Sequence, residues 1–114
     1  MKARGFTHTS IHADDAELSA RFYEQLFGLE RVPSPNFGYR VVWLRLGDLQ
    51  LHLFEREGAT APEWHHIGVD VDDFEGFLAR AEALGVLDDD ARASMRVLPI
   101  ARALHTRSLS VDKL

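Results

Sequence analysis

The sequence contains no cysteine among its 114 residues. Disulfide bonds and thiolate metal sites are therefore excluded, and the composition is compatible with a reducing compartment. The chain has no basic run, and its 13 lysines and arginines are outnumbered by 18 aspartates and glutamates. Because binding to nucleic acid relies on clustered positive charge, this balance argues against a nucleic-acid partner.

Long apolar segments are missing as well. The first ten residues lack the apolar core of a signal peptide, and no stretch approaches the roughly 20 apolar residues of a membrane helix. We therefore expect a cytoplasmic protein with no membrane partner. Its 46% hydrophobic and 27% charged residues are typical of a soluble globular protein, and its length fits one domain or two small modules.

A short sequence motif occurs twice in the chain. The segment THTSIHADD at residues 7–15 resembles HHIGVDVDD at residues 65–73. The matched pairs are His8 and His66, Asp14 and Asp72, Asp15 and Asp73, and Glu17 and Glu75. Each copy predicts a strand that leads into a helix, so the sequence predicts a tandem structural repeat.

Four strands are predicted in the first half. Residues 5–13 alternate loosely between polar and apolar and predict the first strand. A short strand is predicted at residues 29–33, followed by β-branched and aromatic strands at residues 39–46 and 49–55. Gly47–Asp48 is typical of a hairpin turn between the last two strands.

One helix is predicted between the first and second strands. Asp14 or Asp15 is positioned to cap its first turn, and Gly28 is positioned to end it. The apolar stripe predicted at four-residue spacing consists of Leu18, Phe22 and Leu26, widened by Tyr23 and Phe27. The paired aspartates are therefore better explained by helix capping than by acid–base chemistry.

Alternation assigns the strand side chains to two faces, because residues i and i+2 share a face. In the first strand, one face is predicted to carry Phe6, His8, Ser10 and His12. In the last strand of the first half, Leu49, Leu51 and Leu53 share one face, whereas Gln50, His52 and Phe54 share the other.

The second half begins like the first. After a polar linker at residues 56–64, HHIGVDV predicts a strand, and DDFEGFLARAEALG predicts a helix that is capped by Asp72 or Asp73 and ends at Gly85. The remaining residues, 86–114, contain no glycine and only weak strand candidates in MRVLPI and ALHTRSLSV. The pattern assigns this tail no structure.

A duplicated strand–helix–strand–strand–strand unit that opens on histidine and continues into DD…FY…LFGLE resembles the vicinal oxygen chelate superfamily. This superfamily includes glyoxalase I, fosfomycin- and bleomycin-resistance proteins, extradiol dioxygenases and methylmalonyl-CoA epimerase. The resemblance extends over roughly residues 6–86, including PNFGYRVVWLRLGDLQLHLFE and HHIGVDVDDF. It implies two modules that enclose a cleft, with metal ligands projecting from different strands.

Three metal ligands follow from the resemblance. His8 and His66 occupy the first-strand position of each module, and His52 occupies the fourth-strand position of the first module, where many members have glutamate. Gln50 is the alternative to His52 if the register differs by two residues. The alternative is that these histidines are ordinary polar residues of strands and bind no metal.

A fourth ligand is absent from the expected place. The resemblance implies a glutamate near the chain end, but the last glutamate is Glu82 on the predicted second helix. His105 and Asp112 are the remaining candidates. The site then either has three ligands and more open positions for water or substrate, or it is weakened or lost because the tail is diverged or truncated.

Imidazole ligands suit a borderline divalent ion such as Zn²⁺, Ni²⁺, Fe²⁺ or Mn²⁺. The first hypothesis is a metal-dependent lyase, isomerase or dioxygenase that acts on a small oxygenated molecule and whose catalytic base is unidentified. The second is a metal-free protein that sequesters a drug-like ligand, as bleomycin-resistance members do, and the absent glutamate favours it. A relative that has lost both activities is a third possibility.

Pocket residues are also predicted. His12 and Gln50 share the face of the candidate ligands, and Trp43 and Phe54 are candidate walls, with Tyr39 beside them. Ordinary strand packing is the alternative for the aromatic residues. Arg40 and Arg45 are either anion-binding or simply solvated.

The sequence thus predicts an α+β protein built from tandem βαβββ modules. We expect a single domain over residues 1–114, with module one at 5–55, the linker at 56–64 and module two at 65–114, atypical after residue 86. The resemblance implies a homodimer, because small members of the superfamily commonly pair to complete their clefts. An incomplete second module would also leave strand edges that need cover. The expected partner is a small-molecule substrate or ligand.

Overall fold

The computed structural model describes residues 1–58 and 67–86. Their elements are β1 (His8–Ala13), α1 (Ala16–Phe27), β2 (Glu30–Val32), β3 (Val41–Leu46), β4 (Leu49–Glu55) and α2 (Phe74–Ala83). The α+β class and the βαβββ order of the first unit are confirmed. Gly47 adopts φ 59° in the hairpin turn between β3 and β4, which is the left-handed region that favours glycine.

The four strands form one sheet in the order β1-β4-β3-β2. β3 is antiparallel to both of its neighbours, as a hairpin and a meander require, whereas β1 runs parallel to β4. The parallel pair joins the first and last strands of the unit and places His8 beside Gln50 and Ser10 beside His52. This non-local pairing brings the two candidate ligand strands together.

Both ends of α1 are stabilised by identifiable caps. The Asp15 carboxylate accepts a hydrogen bond from the Leu18 N–H at 3.0 Å, and Gly28 ends the helix in the left-handed conformation at φ 68°. A second cap comes from the sheet, where the Glu55 carboxylate accepts from the Ala16 N–H at 3.0 Å. The carboxylates also complement the positive end of the helix dipole.

The buried stripe of α1 differs from the predicted one. Leu18 is 59% exposed, and the buried residues are Ala16, Ser19, Ala20, Tyr23 and Leu26. Small side chains in the first two turns let the helix lie close to the sheet, and this rotates the contact face away from Leu18. The larger residues Phe22 and Phe27 pack at the edge of the core.

The core lies between α1 and one face of the sheet. Leu44, Leu51 and Leu53 are fully buried there, and Tyr23 packs from the helix. Full burial of such side chains contributes about 1.5–3 kcal/mol each relative to exposure. The alternating leucines of β4 therefore pack against α1, and the opposite face of β4 is available for other contacts.

The described part of the second half contributes α2. Asp73 caps it by accepting from the Gly76 N–H at 2.9 Å. Phe77 stacks on Phe27 of α1 with ring centroids 4.9 Å apart, and the Arg80 guanidinium donates to the Gln25 carbonyl at 3.2 Å. The predicted second helix and its cap are confirmed.

The strand predicted for HHIGVDV does not form in its described part, residues 67–71. A strand needs a hydrogen-bonding neighbour, and every strand pairing within the described residues involves only β1 to β4. His65 and His66, linker residues 59–64, and the tail with MRVLPI, ALHTRSLSV, His105 and Asp112 lie outside the described residues. Within the described part of the chain, neither helix has the length and apolarity needed to cross a bilayer.

Candidate functional site

One face of the sheet packs on α1, and the opposite face carries polar and aromatic side chains. We call this opposite face the histidine face. By strand alternation and register it comprises His8, Ser10 and His12 of β1, Val41, Trp43 and Arg45 of β3, and Gln50, His52 and Phe54 of β4. All four predicted pocket residues and two of the three predicted metal ligands therefore share one surface.

Three parallel rings cross this face. The His8 and His52 rings stack with centroids 4.4 Å apart and planes 20° apart. Trp43 stacks on the other side of His52 at 4.0 Å and 3°. Although an exposed strand position was one alternative for His52, its side chain is only 5% exposed because it lies between two rings.

Each imidazole uses one ring nitrogen in a hydrogen bond with a neighbouring side chain. His52 Nε2 donates to Gln50 Oε1 at 2.8 Å, which assigns the lone pair to Nδ1. His8 Nδ1 pairs with the Thr7 hydroxyl at 3.0 Å. The second nitrogen of each ring, His8 Nε2 and His52 Nδ1, is not engaged by any residue in the described ranges. Metal-binding histidines commonly combine one buttressed nitrogen with one ligating nitrogen.

The pKa of His52 is lowered from its ordinary value, first by burial and second by the neighbouring His8. Burial disfavours the charged imidazolium, and a second imidazolium beside it adds repulsion. His52 is therefore held neutral over a wider pH range, and the neutral imidazole is the form that binds metal ions.

His8 and His52 lie on adjacent strands and offer two imidazoles, whereas the Gln50 amide oxygen already accepts from His52 Nε2 and does not adjoin the free Nδ1. Because the lone pairs of stacked rings lie in nearly parallel planes, binding one ion would require the exposed His8 ring to rotate out of the stack. No group of three or more potential metal-binding histidines, aspartates or glutamates occurs within residues 1–58 and 67–86. The third predicted ligand, His66, lies outside these ranges, so the described residues supply part of the predicted set.

Aromatic side chains continue the site from His52 toward the loop before β3. We call Phe37, Tyr39, Trp43 and Phe54 the aromatic cluster. Phe37 lies 5.8 Å from Phe54, 6.1 Å from Tyr39 and 6.4 Å from Trp43, measured between ring centroids. Sequence reasoning missed Phe37, because it stands in a turn-rich loop with no periodicity to assign it to a face.

Ion pairs join β2 and the residue before β3 to α1. Glu17 accepts from Arg31 at 2.7 Å and 2.8 Å and from Arg40 at 2.9 Å. The Arg31 hydrogen bonds, supported by Arg40, hold the pKa of Glu17 at about 2. Arg40 therefore pairs with Glu17 of α1 although its side chain stays 53% exposed, and Arg45 is exposed on the histidine face.

One polar atom of the site is shielded from solvent without a partner. The indole N–H of Trp43 has no hydrogen-bond acceptor among the described residues. A buried donor left unpaired typically costs about 1–3 kcal/mol. The His52–Trp43 stack is thus retained in the fold despite this cost.

Comparisons with known proteins agree with this architecture. Human mitochondrial methylmalonyl-CoA epimerase is 32% identical over 79 residues, which cover 57% of this chain and 45% of the epimerase. The chain thus spans about half the length of this curated relative.

Two solved structures show the same fold. A mutant of the fosfomycin resistance protein FosX from Listeria monocytogenes, in complex with Mn(II) and 1S,2S-dihydroxypropylphosphonic acid, matches with a TM-score of 0.65 at 19% identity, covering 75% of this chain and 70% of FosX. The bleomycin resistance determinant encoded on transposon Tn5 matches with a TM-score of 0.55 at 24% identity, covering 75% of this chain and 68% of that protein.

A family profile matches most of the chain. It is described as the Glyoxalase/Bleomycin resistance protein/Dioxygenase superfamily, and it aligns with residues 5–97. The match includes β1 through α2 and therefore every described residue of the histidine face. On the strength of this match, the chain belongs to the Glyoxalase/Bleomycin resistance protein/Dioxygenase superfamily.

Proposed function

We propose that this protein binds a divalent metal ion at His8 and His52, with His66 as the third ligand, and acts on a small oxygenated molecule as a lyase, isomerase or dioxygenase. The observation that carries the proposal is the pair of imidazoles from β1 and β4, stacked at 4.4 Å on one face of the sheet. The lowered pKa of His52 supports it, because it favours the form that can bind metal.

The proposal assigns distinct tasks to neighbouring side chains. Gln50 orients His52 through the 2.8 Å hydrogen bond to Nε2, and Thr7 does the same for His8. A bound Zn²⁺, Ni²⁺, Fe²⁺ or Mn²⁺ would supply Lewis-acid polarisation of a substrate oxygen. We assign His12 to contact with a bound molecule beyond the pair, and its exposure on the same face opposite Phe54 supports this role.

Thermal unfolding of the full chain tests metal binding directly. After treatment with a chelator and its removal, Mn²⁺, Zn²⁺, Ni²⁺ and Fe²⁺ are added separately and Tm is measured. A ligand that binds only the folded state at 100 times its Kd stabilises by about 2.7 kcal/mol, or about 10 °C or more for a domain of this size. We expect at least one ion to produce such a shift.

The matched variants are His8→Ala and His12→Ala. Both replace an exposed histidine of β1, but only His8 belongs to the stacked pair. The metal-dependent shift should be lost in His8→Ala and retained in His12→Ala, with circular dichroism confirming that both variants fold. Equal shifts in the two variants, or no shift with any ion in the wild-type protein, would contradict the proposal.

The aromatic cluster favours a second candidate, a metal-free protein that sequesters an apolar ligand. Phe37 and Tyr39 are exposed next to Phe54 and offer a binding wall that needs no ion. The fold shared with the Tn5 bleomycin resistance determinant is compatible with this role. Ligand binding that is identical with and without chelator, in a protein with no metal-dependent Tm shift, would favour this candidate over the enzyme.

Three further predictions about organisation belong to the same proposal. The division into module one at residues 5–55, a linker at 56–64 and module two at 65–114 is supported by the repeated helix with its aspartate cap. A homodimer would cover exposed strand edges such as that of β2. We also propose a cytoplasmic location, with which the absence of cysteine from the sequence is compatible.

A further inference from the structure

Residues 1–6, MKARGF, precede β1 and are exposed along their whole length. We call this segment the basic arm. Phe6 is 86% exposed, and no residue of the arm makes a hydrogen bond, ion pair or ring contact with another residue of the described ranges. Two of the 13 basic residues of the chain and none of its 18 acidic residues lie in the arm, so the arm is positive and the rest of the chain is negative.

Large and small side chains alternate along the basic arm. Lys2, Arg4 and Phe6 stand at every second position, with Ala3 and Gly5 between them. Because side chains alternate between the two sides of an extended segment, two cations and one aromatic ring share a side when the arm is extended. The arm is therefore suited to a surface where an apolar pocket adjoins negative charge.

A cavity of about 250 Å³ lies between α1 and α2, on the helical side of the sheet. We call it the inter-helix cavity. Its apolar lining consists of Leu26, Phe27, Val71 and Phe77, and the rings of Phe27 and Phe77 stack with centroids 4.9 Å apart. Because an apolar cavity of about 150 Å³ accommodates benzene, the inter-helix cavity has room for one aromatic side chain.

The polar rim of this cavity is negative. Asp72, Asp73 and Arg80 line it, but the Arg80 guanidinium already donates to the Gln25 carbonyl at 3.2 Å. Asp73 accepts from the Gly76 N–H as the cap of α2, whereas Asp72 is exposed and has no hydrogen-bond or ion-pair partner in the described part of the chain. The last turn of α1 contains no basic residue, so its carbonyl end adds partial negative charge. Asp72 is therefore the acceptor left for an external cation.

We propose that the basic arm of one copy of this chain docks in the inter-helix cavity of a second copy, with the Phe6 ring on the apolar lining and Arg4 paired with Asp72. In a two-fold dimer this contact is made twice, so the two copies exchange arms. The inference deepens the proposed homodimer and rests on it, but it involves neither the histidine face nor a metal ion.

A second copy is the occupant that the observations favour. The ring of Phe6 is exposed in the structure, so the arm does not fill the cavity of its own chain. Arm and cavity carry opposite charges on one sequence, and complementary surfaces on the same chain suit association between copies. Aromatic residues and arginine are also the side chains enriched at protein interfaces, and the arm has one of each.

Analytical ultracentrifugation of the full chain tests the exchange. The dissociation constant of the dimer is measured from micromolar to sub-millimolar protein, at about 0.05 M and about 0.5 M NaCl. We expect a dimer that weakens at the higher salt concentration, because the pair of Arg4 and Asp72 is screened. Phe6→Ala and Asp72→Asn should each raise the dissociation constant at least about tenfold, as loss of an interface anchor does.

The matched controls lie outside the arm and the cavity. Leu18→Ala removes another exposed apolar side chain, which is 59% exposed on α1, and Asp70→Asn removes another exposed carboxylate close to Asp72. Both variants should dimerise like the wild type. Exchanging the charges gives the sharper test, since Arg4→Glu and Asp72→Arg should each weaken the dimer and their combination should regain most of the affinity.

The remaining outcomes overturn the inference. A dimer that is unchanged in Phe6→Ala and Asp72→Asn would leave the homodimer in place and assign it to another surface. A monomer at every concentration would overturn the homodimer as well, and a lower Tm of Phe6→Ala in that monomer would assign the cavity to the arm of the same chain. The metal-dependent Tm shift tests the metal site separately in every case.

Discussion

Replacing Trp43 with phenylalanine should leave the stability of the metal-free protein nearly unchanged, although Trp43 lies at the centre of the site. The tryptophan ring stacks on His52 at 4.0 Å and 3°, and a phenylalanine ring retains part of this contact. The indole N–H is shielded and has no acceptor among the described residues, and phenylalanine removes this donor. Two opposite effects on the free energy of unfolding therefore operate at one position.

The magnitudes nearly cancel. Removing an unpaired buried donor returns about 1–3 kcal/mol. Loss of about 50 Å² of apolar contact with the smaller ring costs about 1.2 kcal/mol at 25 cal/mol per Å², and weaker stacking costs about 0.5 kcal/mol more. The free energy of unfolding of Trp43→Phe should therefore lie within about 1 kcal/mol of the wild-type value, whereas a core truncation such as Leu51→Ala should cost about 2–5 kcal/mol.

Urea unfolding followed by circular dichroism in the presence of chelator is the appropriate assay, because tryptophan fluorescence would itself change with the substitution. Trp43→Leu is the control that removes both the donor and the ring, and it should be less stable than Trp43→Phe because it also loses the stack. A decrease of more than about 2 kcal/mol in the free energy of unfolding of Trp43→Phe, with an unchanged dependence on urea, would contradict the reasoning. It would show that the indole N–H has a hydrogen-bond partner.

Two predictions concern pH. Because burial and His8 lower the folded-state pKa of His52 below the unfolded value of 6.5, the free energy of unfolding of chelator-treated protein should be greatest above pH 6.5 and fall as the pH drops below it. Thermal unfolding at several pH values should show a weaker fall in His52→Gln, and an identical fall would refute this assignment. Glu17, whose pKa is lowered from 4.5 to about 2 chiefly by Arg31, should contribute stability that is present above pH 4.5 and lost as the pH falls through about 2. Glu17→Gln should therefore lower Tm at pH 7 and flatten the acid limb of the Tm profile, while Glu30→Gln, an exposed control on β2, should leave both unchanged.

Local signals in the sequence predicted the elements well, because caps and turns act over a few residues. Asp15, Asp73 and Gly28 occupy the cap positions assigned to them, and Gly47 forms the hairpin turn. Alternation also placed Gln50, His52 and Phe54 on the face opposite the core leucines of β4. The assignment succeeded because side chains on a strand alternate whatever its neighbours are.

Two local predictions failed where packing decided the outcome. Leu18 was expected in the buried stripe of α1, but the small residues Ala16 and Ala20 make the closest approach to the sheet, and Leu18 is left exposed. The strand expected after the linker does not form at residues 67–71, because the sequence pattern does not specify a pairing partner. Helix faces and strand partners both depend on surfaces that are distant in the sequence.

The sequence by itself determined the histidines, their alternation and the family in which such a repeat occurs, since these depend on spacing along the chain. Only the tertiary structure decided that β1 pairs in parallel with β4, and this pairing stacks His8 on His52 and encloses His52 between two rings. It also brought Phe37 from an irregular loop onto the same surface as Phe54. The physical reason is that non-local strand pairing and loop placement follow from burial of the whole core, which no short segment encodes.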